Sequence, residues 1–392
     1  MLKLIYILSM LIYPLSLFSS TGELRLGAER TALYTPLLEG KRIALYSNHT
    51  GMIGDQHVLD ILLSKGLDVK AIFSPEHGFR GNADAGEQVS NTKDSKTGIP
   101  ILSLYDGKEK RPSKSSMDKF DVLVIDIQDV GLRFYTYYIT MVQLMDACAT
   151  DNKEVIIFDR PNPNGYYVDG PILEPKYKSG VGGLPIPIVH GMTLGELAQM
   201  CLGEDWLPSK KSCKLTVIPC ENYTHQTIYD LPIAPSPNLP NMLSIYLYPS
   251  ICLFEGTPLS LGRGTDFPFQ VYGHPNLKDK YSFSFTPRSR PGAKNPPLLN
   301  QKCYGVDYRS LSLKQAQSMK IDLSPIIEAY KAMKGDAKFF KPFFNLLVGV
   351  DYVKKMIVAG NSADEIRVMW ASDVESFKIK RKPYLLYPDN EL

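Results

Sequence analysis

The chain has 392 residues, enough to bury a substantial core and to form two domains. Its composition, 44% hydrophobic and 22% charged, is that of a globular protein and excludes an intrinsically disordered chain. The net charge of +3 is small for this length, and no basic cluster with interleaved aromatic residues occurs. We therefore expect no nucleic-acid partner.

The first residues differ from the rest of the chain and predict export. Met1-Leu-Lys3 is a short positive segment, residues 4–18 are mostly apolar, and Ser20 and Gly22 suit a cleavage after Gly22. This is a signal-peptide pattern, which we assign to residues 1–22. It predicts a periplasmic or extracellular protein without stable membrane insertion after cleavage. Because the apolar run is near the lower length limit of a membrane span, an uncleaved anchor is the alternative.

The next part of the chain alternates strand-like and helical patterns, beginning with a short helix over 27–38. Apolar runs typical of buried strands fall near 43–47, 69–74, 99–104, 121–126 and 154–159, and a further strand begins at Leu215. Amphipathic helical stretches lie between them, and Thr193 with Glu196 forms a capping box at the start of another helix. This is the βαβ signature of a parallel sheet covered by helices. No Gly-x-Gly-x-x-Gly or Walker loop occurs, so the Rossmann-like order implies no nucleotide and we expect no cofactor.

A proline-rich stretch from Ile233 to Asn241 marks a change of organisation. We predict a Rossmann-like domain over 23–235 and a smaller α+β domain over 236–392. In the second domain, residues 365–370 and 384–387 have strand-like patterns, and the basic stretch 376–382 is interpreted as a solvated strand face.

Polar clusters follow the predicted strands at the points where they end. Open parallel sheets bind ligands beyond the carboxyl ends of their strands, so these clusters predict one assembled site and an enzyme. In chain order the clusters contain Asn48 and His49, Glu76 and His77, Asp126 with Gln128 and Asp129, and Arg160 with Asn162.

Three carboxyl groups in these clusters are candidates for acid–base chemistry. Glu76 follows a proline and leaves a buried strand, where partial desolvation would raise its pKa and suit a general acid. Asp126 and Asp129 follow the most hydrophobic strand, and two carboxylates flanking a scissile bond are usual in glycosidases. The alternatives are a helix cap for Glu76, and a cap or an ion pair with Arg133 for either aspartate.

Two arginines and a tyrosine cluster are candidates for substrate binding. Arg160 and Arg263 can form bidentate pairs with an anionic group, although internal salt bridges would use them equally well. Tyr135, with Tyr137 and Tyr138 beside it, predicts either a sugar platform or core packing.

Histidines and cysteines leave further alternatives open. His49, His77 and His190 follow predicted strands and could together bind a metal, although they are far apart in sequence. The six cysteines show no CxxC pairing, so they are either buried thiols or disulfide partners in an exported protein.

Several short motifs, taken together and in order, resemble the exo-β-N-acetylmuramidase family of NamZ type. They cover essentially the whole chain after residue 27, with departures from the family pattern at Pro258 and Asp266. The motifs are Ser47-Asn-His-Thr-Gly51, Ser74-Pro-Glu-His-Gly78, Asp126-Ile-Gln-Asp-Val-Gly131, Arg133-Phe-Tyr-Thr136, Asp159-Arg-Pro-Asn-Pro163, His190-Gly-Met-Thr-Leu-Gly-Glu196, Pro235-Ser-Pro-Asn238, Glu255-Gly-Thr257 and Gly262-Arg-Gly-Thr265.

The resemblance implies a Rossmann-like domain, a smaller C-terminal domain and an active site in the cleft between them. It also implies release of N-acetylmuramic acid (MurNAc) from the non-reducing end of peptidoglycan fragments. On this basis we expect Glu76 to act as general acid, with Asp126 as base or electrostatic partner, or a substrate-assisted route through the acetamido group. The expected substrate-binding residues are Asn48, His49, His77, Gln128, Asp129, Arg133, Tyr135, Arg160, Asn162, His190, Asn238, Glu255 and Arg263.

Two other functions are compatible with the same residues. The histidines favour a metal-dependent cell-wall hydrolase, an amidase or a deacetylase, which a chelator would inactivate. A non-catalytic muropeptide-binding protein would keep the fold but release no sugar, and substitution of Glu76 would leave its function unchanged.

Overall fold

The structure is a computed structural model that describes residues 22–75, 79, 92–102, 104 and 111–389. The predicted signal peptide lies almost wholly outside these residues, and Glu76 and His77 lie outside them as well. Among the described helices, none is both long and apolar enough to cross a membrane. All six cysteines are described, and each is a buried free thiol.

Twelve strands and eleven α-helices occur in the described residues. The strands are β1 Arg42–Ser47, β2 Met52–Ile53, β3 Gln56–His57, β4 Asp68–Phe73, β5 Thr92–Lys93, β6 Pro100–Leu102, β7 Val122–Asp126, β8 Glu154–Phe158, β9 Leu215–Ile218, β10 Val271–His274, β11 Ser284–Phe285 and β12 Cys303–Asp307. The helices are α1 Thr31–Leu38, α2 Val58–Ser64, α3 Lys114–Met117, α4 Tyr137–Thr150, α5 Leu194–Gly203, α6 Met242–Ile251, α7 Leu313–Met319, α8 Ser324–Ala332, α9 Pro342–Val348, α10 Tyr352–Val358 and α11 Ala363–Arg381.

The N-terminal part is built on one seven-stranded sheet in the order β5-β6-β4-β1-β7-β8-β9. Its strands are parallel except for β5, which pairs antiparallel with β6. The predicted Rossmann-like α/β fold is therefore confirmed. The capping box of Thr193 and Glu196 at the start of α5 is confirmed too.

Alternate residues of the central strands face two separate layers of helices. On one face, Ile43 and Val124 belong to a core formed with helices α1 and α2. On the other face, Tyr46 and Ile125 belong to a core formed with α4 and α5. Burial on both faces explains why these strands consist of uninterrupted apolar runs rather than an alternation with polar residues.

The C-terminal part contains a three-stranded antiparallel sheet, β10-β12-β11, and helices α6 to α11. It is a second α+β part, as predicted. Its buried residues, such as Phe254 and Phe344, belong to the same core as helices α4 and α5 of the first part. The two parts are therefore held together by a continuous apolar interior.

The predicted strands near the C-terminus are wrong, because residues 363–381 form the long helix α11 and 382–384 a 3₁₀ turn. The basic stretch 376–382 consequently lies on a helix and the 3₁₀ turn, not on a strand. Ser362 and Glu365 form a capping box at the start of α11. Its buried residues Ile366, Trp370 and Val374 recur every four positions, which is helical periodicity.

The chain after Ala363 returns to the N-terminal part and binds it through several polar contacts. Trp370 Nε1 donates to Asp169 Oδ1 at 2.8 Å, and Arg367 pairs with the other oxygen of that carboxylate. Further along, the Tyr387 hydroxyl donates to Asp159 Oδ2 at 2.6 Å. This C-terminal segment thus reaches the residue that directly follows strand β8.

Candidate active site

The register of the sheet brings the ends of the central strands to one edge. Ser47, the last residue of β1, lies opposite Asp126, the last residue of β7. Asp159 and Arg160 follow the end of the neighbouring strand β8. Strand β4 ends at the same edge, where Phe73 pairs with Tyr46. The predicted clusters that the structure describes on β1, β7 and β8 therefore meet at the carboxyl edge.

Asp126 and Arg160 form a buried ion pair at this edge. Arg160 Nε donates to Asp126 Oδ1 at 2.6 Å, and Arg160 Nη2 donates to Oδ2 at 3.0 Å. The side chains are 0% and 5% exposed. Since both carboxylate oxygens are engaged, the pair holds two neighbouring strand ends together. Arg160 Nη2 also donates to Met52 O at 3.2 Å.

Asp129 lies in the turn after β7 and has a different environment. Its Oδ1 accepts from the Gly131 backbone N–H at 2.7 Å, while Oδ2 is buried and has no hydrogen-bond partner among the described residues. Burial raises the pKa of this carboxyl to about 7, although backbone N–H donors oppose the change. A carboxyl of this kind exchanges its proton near neutral pH, as a general acid or base requires.

Gly131 fixes the shape of that turn. Its φ of 76° is in the left-handed region, and a Cβ atom there would lie 2.2 Å from the Asn162 side chain. Asn162 in turn donates to Met192 O at 2.9 Å and accepts from the Asn164 N–H. The amide of Asn162 is therefore engaged in holding the loops after β7 and β8.

A second network joins the loops after β1 and β7. Asn48 Oδ1 accepts from the Thr50 hydroxyl at 2.6 Å, and the hydroxyl oxygen accepts from the Gln128 backbone N–H at 3.0 Å. The Gln128 side-chain amide donates to the Asp129 and Pro161 carbonyls, each at 2.8 Å. Both predicted amides, Asn48 and Gln128, are buried and fixed in these positions.

The proline-rich segment after Ile233 crosses the same edge. His49 Nε2 lies 2.8 Å from Ala234 O, and the hydroxyls of Tyr135 and Tyr137 donate to Pro235 O at 2.9 and 3.0 Å. Asn48 also donates to the Tyr137 hydroxyl. His49 and Tyr135 therefore anchor the segment that connects the sheet edge to the C-terminal part.

Arg133 is placed in the interior, away from the carboxyl edge of the sheet. It is fully buried, and its guanidinium donates to four backbone carbonyls, two of them Leu347 and Val348 at the end of helix α9. Burial lowers the pKa of Arg133 to about 10. Because carbonyls at a helix C-terminus attract a cation, this side chain joins the two parts of the molecule and does not face a ligand.

His190 is also buried and follows an isolated bridge at Val189, not a strand of the sheet. Its Nδ1 accepts from the Met192 N–H at 3.2 Å, and burial, with the charge of Arg381, lowers the pKa of the ring to about 3. His190 is therefore neutral. Among the described residues, no group of three or more His, Cys, Asp or Glu side chains is arranged to hold a metal ion.

The predicted residues of the C-terminal part lie in two places. Arg263 Nε donates to Glu255 Oε1 at 2.7 Å, and its guanidinium lies 4.9 Å from the centre of the Phe269 ring. Asn238 instead donates to Gly292 O at 2.8 Å, next to an open groove. The two predicted anchor arginines, Arg160 and Arg263, are thus both paired with carboxylates of the protein itself.

Sequence reasoning missed some residues that complete the edge. Thr50 links Asn48 to Gln128 by hydrogen bonds. It belongs to the motif Ser47-Asn-His-Thr-Gly51, but a threonine in that motif does not by itself indicate such a link. Asp159 accepts from the Thr193 hydroxyl at 2.6 Å and from the Gly195 N–H at 2.9 Å, so it caps helix α5. Burial raises the pKa of Asp159 to about 6, with the donors opposing the change.

An open parallel sheet with carboxyl, amide and arginine groups at its carboxyl edge defines an α/β enzyme, and the comparisons identify its family. A family model described as exo-beta-N-acetylmuramidase NamZ, N-terminal, matches residues 43–243, and the model of its C-terminal domain matches 246–387. The chain therefore belongs to the NamZ family of glycoside hydrolases, and the predicted family is confirmed.

Individual relatives agree with this assignment. Peptidoglycan beta-N-acetylmuramidase NamZ from Bacillus subtilis (strain 168) is 36% identical over 372 residues, which cover 90% of this chain and 89% of that protein. A crystal structure of a DUF1343 family protein from Bacteroides fragilis NCTC 9343 is 64% identical, with a TM-score of 0.88 over 94% of this chain and 100% of that one. A second such protein from the same organism is 29% identical, with a TM-score of 0.77 over 93% and 99%.

Proposed function

We propose that this protein is an exo-acting glycoside hydrolase that releases MurNAc from the non-reducing end of peptidoglycan fragments. The observation that carries the proposal is the match to both NamZ domains from residue 43 to 387. The buried carboxyls and the arginine at the sheet edge support it, since glycosidases work with carboxyl groups in partly dry sites.

Glu76 is the proposed general acid. The glycosidic oxygen needs a proton as its bond to the anomeric carbon breaks, and a carboxyl can supply it. The motif that contains Glu76 begins at Ser74, directly after strand β4, and β4 lies beside β1 in the sheet. The proposal for Glu76 itself rests on its sequence motif, because the residue lies outside the described part of the chain.

Asp129 is the better candidate for the second carboxyl, and Asp126 for an electrostatic role. Both oxygens of Asp126 are bonded to Arg160 in a buried ion pair, so neither is directed at a substrate or a water molecule. Asp129 has one oxygen without a partner among the described residues and a pKa near neutrality. It can act as base toward water, or it can orient the substrate acetamide if that group attacks the anomeric carbon.

The direct test is incubation of the protein from residue 23 onward with a MurNAc-GlcNAc disaccharide, without cofactor, and measurement of free MurNAc. We expect release by the wild type and severe loss in Glu76→Gln. A folded protein that binds the disaccharide but never releases MurNAc would instead be a muropeptide-binding protein. Loss of activity with a chelator, restored by a metal, would favour the metal-dependent hydrolase.

We also propose that the protein works outside the cytoplasm, where peptidoglycan fragments occur. The support is the charged, apolar and small-residue order of residues 1–22. N-terminal sequencing of the protein from its native cell should find a start near Glu23. A soluble cytoplasmic protein that retains Met1 would contradict this location.

A further inference from the structure

An open groove of about 380 Å³ lies in the C-terminal part, outside the sheet-edge site. Its walls come from three segments: 237–240, 264–268 and 290–293. Four prolines and Ala293 give it apolar surfaces, and Asn238, Thr265, Asp266 and Arg290 give it polar ones. Apolar surfaces with a few placed polar groups are typical of small-ligand sites and suit the faces of a sugar ring.

Arg290 is held in this groove by a well-fixed turn. The Arg290 and Ala293 backbones exchange hydrogen bonds of 3.2 and 2.9 Å. Gly292, at the left-handed φ of 78°, packs so closely that a Cβ atom would lie 2.6 Å from Pro237. Asn238 Nδ2 donates to Gly292 O at 2.8 Å. The turn that carries Arg290 is therefore tied to the segment that comes from the sheet edge.

The partner of Arg290 is a solvent-exposed carboxylate. Two guanidinium nitrogens of Arg290 bond the two oxygens of Asp266, and the side chains are 41% and 77% exposed. Exposed ion pairs contribute little to stability, so an incoming carboxylate can replace Asp266 at small cost. The buried partner of Arg160, at 0% exposure, cannot be exchanged in this way.

The groove is within reach of a saccharide bound at the sheet edge. Pro235 O accepts hydrogen bonds from Tyr135 and Tyr137 at the edge, and Asn238 at the groove is three residues further on. Three residues span at most about 10 Å when extended. A saccharide of two or three sugars can bridge such a distance.

We propose that this groove is a saccharide subsite in which Arg290 binds a carboxylate of the substrate in place of Asp266. The inference rests on the proposed function and adds a recognition site to it. The carboxylate is the lactyl group of the terminal MurNAc or that of a second MurNAc further along the chain. Both sources share the same chemistry, and arginine recognises it through two parallel hydrogen bonds.

The test is calorimetric binding of thio-linked, uncleavable MurNAc-GlcNAc and MurNAc-GlcNAc-MurNAc, each as the free acid and as the neutral carboxamide. The variants are Arg290→Ala and Asp266→Asn. Arg288→Ala is the matched control, since Arg288 lies two residues away and pairs with Asn300 instead. Hydrolysis of the ordinary O-linked disaccharide is measured in parallel.

The two partners of the pair should have opposite effects. We expect Arg290→Ala to weaken binding of the acid about tenfold, and Asp266→Asn to strengthen it about threefold, because one removes the receptor and the other its competitor. The carboxamides and Arg288→Ala should show neither change. An effect already present with the disaccharide identifies the terminal lactyl group, and an effect confined to the trisaccharide identifies the second MurNAc.

Failure of this inference can be told apart from failure of the proposed function. If the wild type releases MurNAc but Arg290→Ala binds every ligand as the wild type does, only the subsite is wrong. Equal losses from both substitutions, or equal losses on acid and carboxamide, would mean that the pair is merely structural. If binding responds to the substitutions as expected but no hydrolysis occurs, the subsite is supported and the proposed glycosidase activity is contradicted.

Discussion

Two arginine–aspartate pairs of the same chemistry lie at the sheet edge and in the groove, and burial separates their roles. Asp126 and Arg160 are almost completely buried and join neighbouring strand ends, whereas Asp266 and Arg290 are exposed on two separate loops. Removing one partner of a buried pair leaves an uncompensated charge, while an exposed pair is solvated in either state. The first pair is therefore part of the scaffold, and the second is free to exchange partners.

The largest effect on stability should come from Arg160→Ala. The substitution leaves the Asp126 carboxylate buried without its cation, so we expect the free energy of unfolding to fall by about 3–5 kcal/mol. Urea titration followed by circular dichroism measures this. Arg290→Ala is the control and should cause no measurable change. If Arg160→Ala and Arg290→Ala are equally stable, the buried and the exposed pair do not differ in their contribution to stability.

Glu76→Gln should separate chemistry at the sheet edge from recognition in the groove. Glutamine keeps the shape of the side chain but cannot donate the acid's proton, so kcat on the natural disaccharide should fall at least about a hundredfold. With a nitrophenyl leaving group, which needs little protonation, the loss should shrink sharply. Arg290→Ala should instead raise KM for the free acid. A wild-type kcat in Glu76→Gln would remove this residue from the mechanism and bring Asp129 forward.

Tyr387→Phe should destabilise the fold by removing a hydroxyl that the C-terminal segment contributes to the sheet edge. The hydroxyl donates to Asp159 and accepts from the Cys220 N–H at 2.9 Å, and both neighbours are buried. We expect a loss of about 1–2 kcal/mol in the free energy of unfolding, because buried polar groups lose a partner. Tyr384→Phe is the matched control, since its hydroxyl bonds the more exposed Glu204. A larger loss in the control would contradict this assignment.

A different kind of effect, a change in the pH dependence of stability, is expected in Asp129→Asn. The folded-state pKa of about 7 lies above the usual 3.8, so the folded protein keeps a proton that the unfolded chain releases as pH rises. Asp129 therefore makes the free energy of unfolding decrease between about pH 4 and 7. Asparagine removes this decrease, and the variant should gain stability relative to wild type across that range, by about 1 kcal/mol or more.

Asp121→Asn provides the control for that experiment. Hydrogen bonds from Arg42 lower the pKa of Asp121 to about 2, so its contribution is lost only as the solution becomes acidic. Stability measured from pH 5 to 8 should keep its wild-type slope in this variant. If Asp129→Asn also keeps that slope, its carboxyl does not titrate near neutrality, and its proposed role in proton exchange fails.

The sheet could be predicted from sequence because its strands are buried on both faces. Runs such as 122–125 are apolar throughout, and their short length and β-branched residues favour a buried strand over a helix. The same reasoning failed at 365–370, where a short segment rich in apolar and aromatic residues resembles a strand. Helix signals are present in Ser362 and Glu365 and in the basic residues of the last turn, and they describe this segment correctly.

The sequence indicated individual candidate residues of the site, but it did not indicate which of them contact each other. Asp126 and Arg160 were each singled out, yet their pairing depends on β7 and β8 being neighbours. Arg290 and Asp266 lie 24 positions apart in irregular loops, where no periodic pattern indicates contact. Arg133 is expected from the sequence to bind substrate, because nothing in the sequence reveals the carbonyls of residues 347 and 348 around it.

The contact between Tyr387 and Asp159 has a consequence for how the enzyme is made. Residues 386–388 bond Glu196, Asp159 and the His225 backbone, so residues near the end of the chain complete a region that is built from its middle part. Synthesis delivers the N-terminal part first. The catalytic edge therefore stays unfinished until about residue 388 has emerged, and a chain clipped before Leu386 would lack its last donors to Glu196 and Asp159. An intact C-terminal segment is therefore required for the complete hydrogen bonding of this edge.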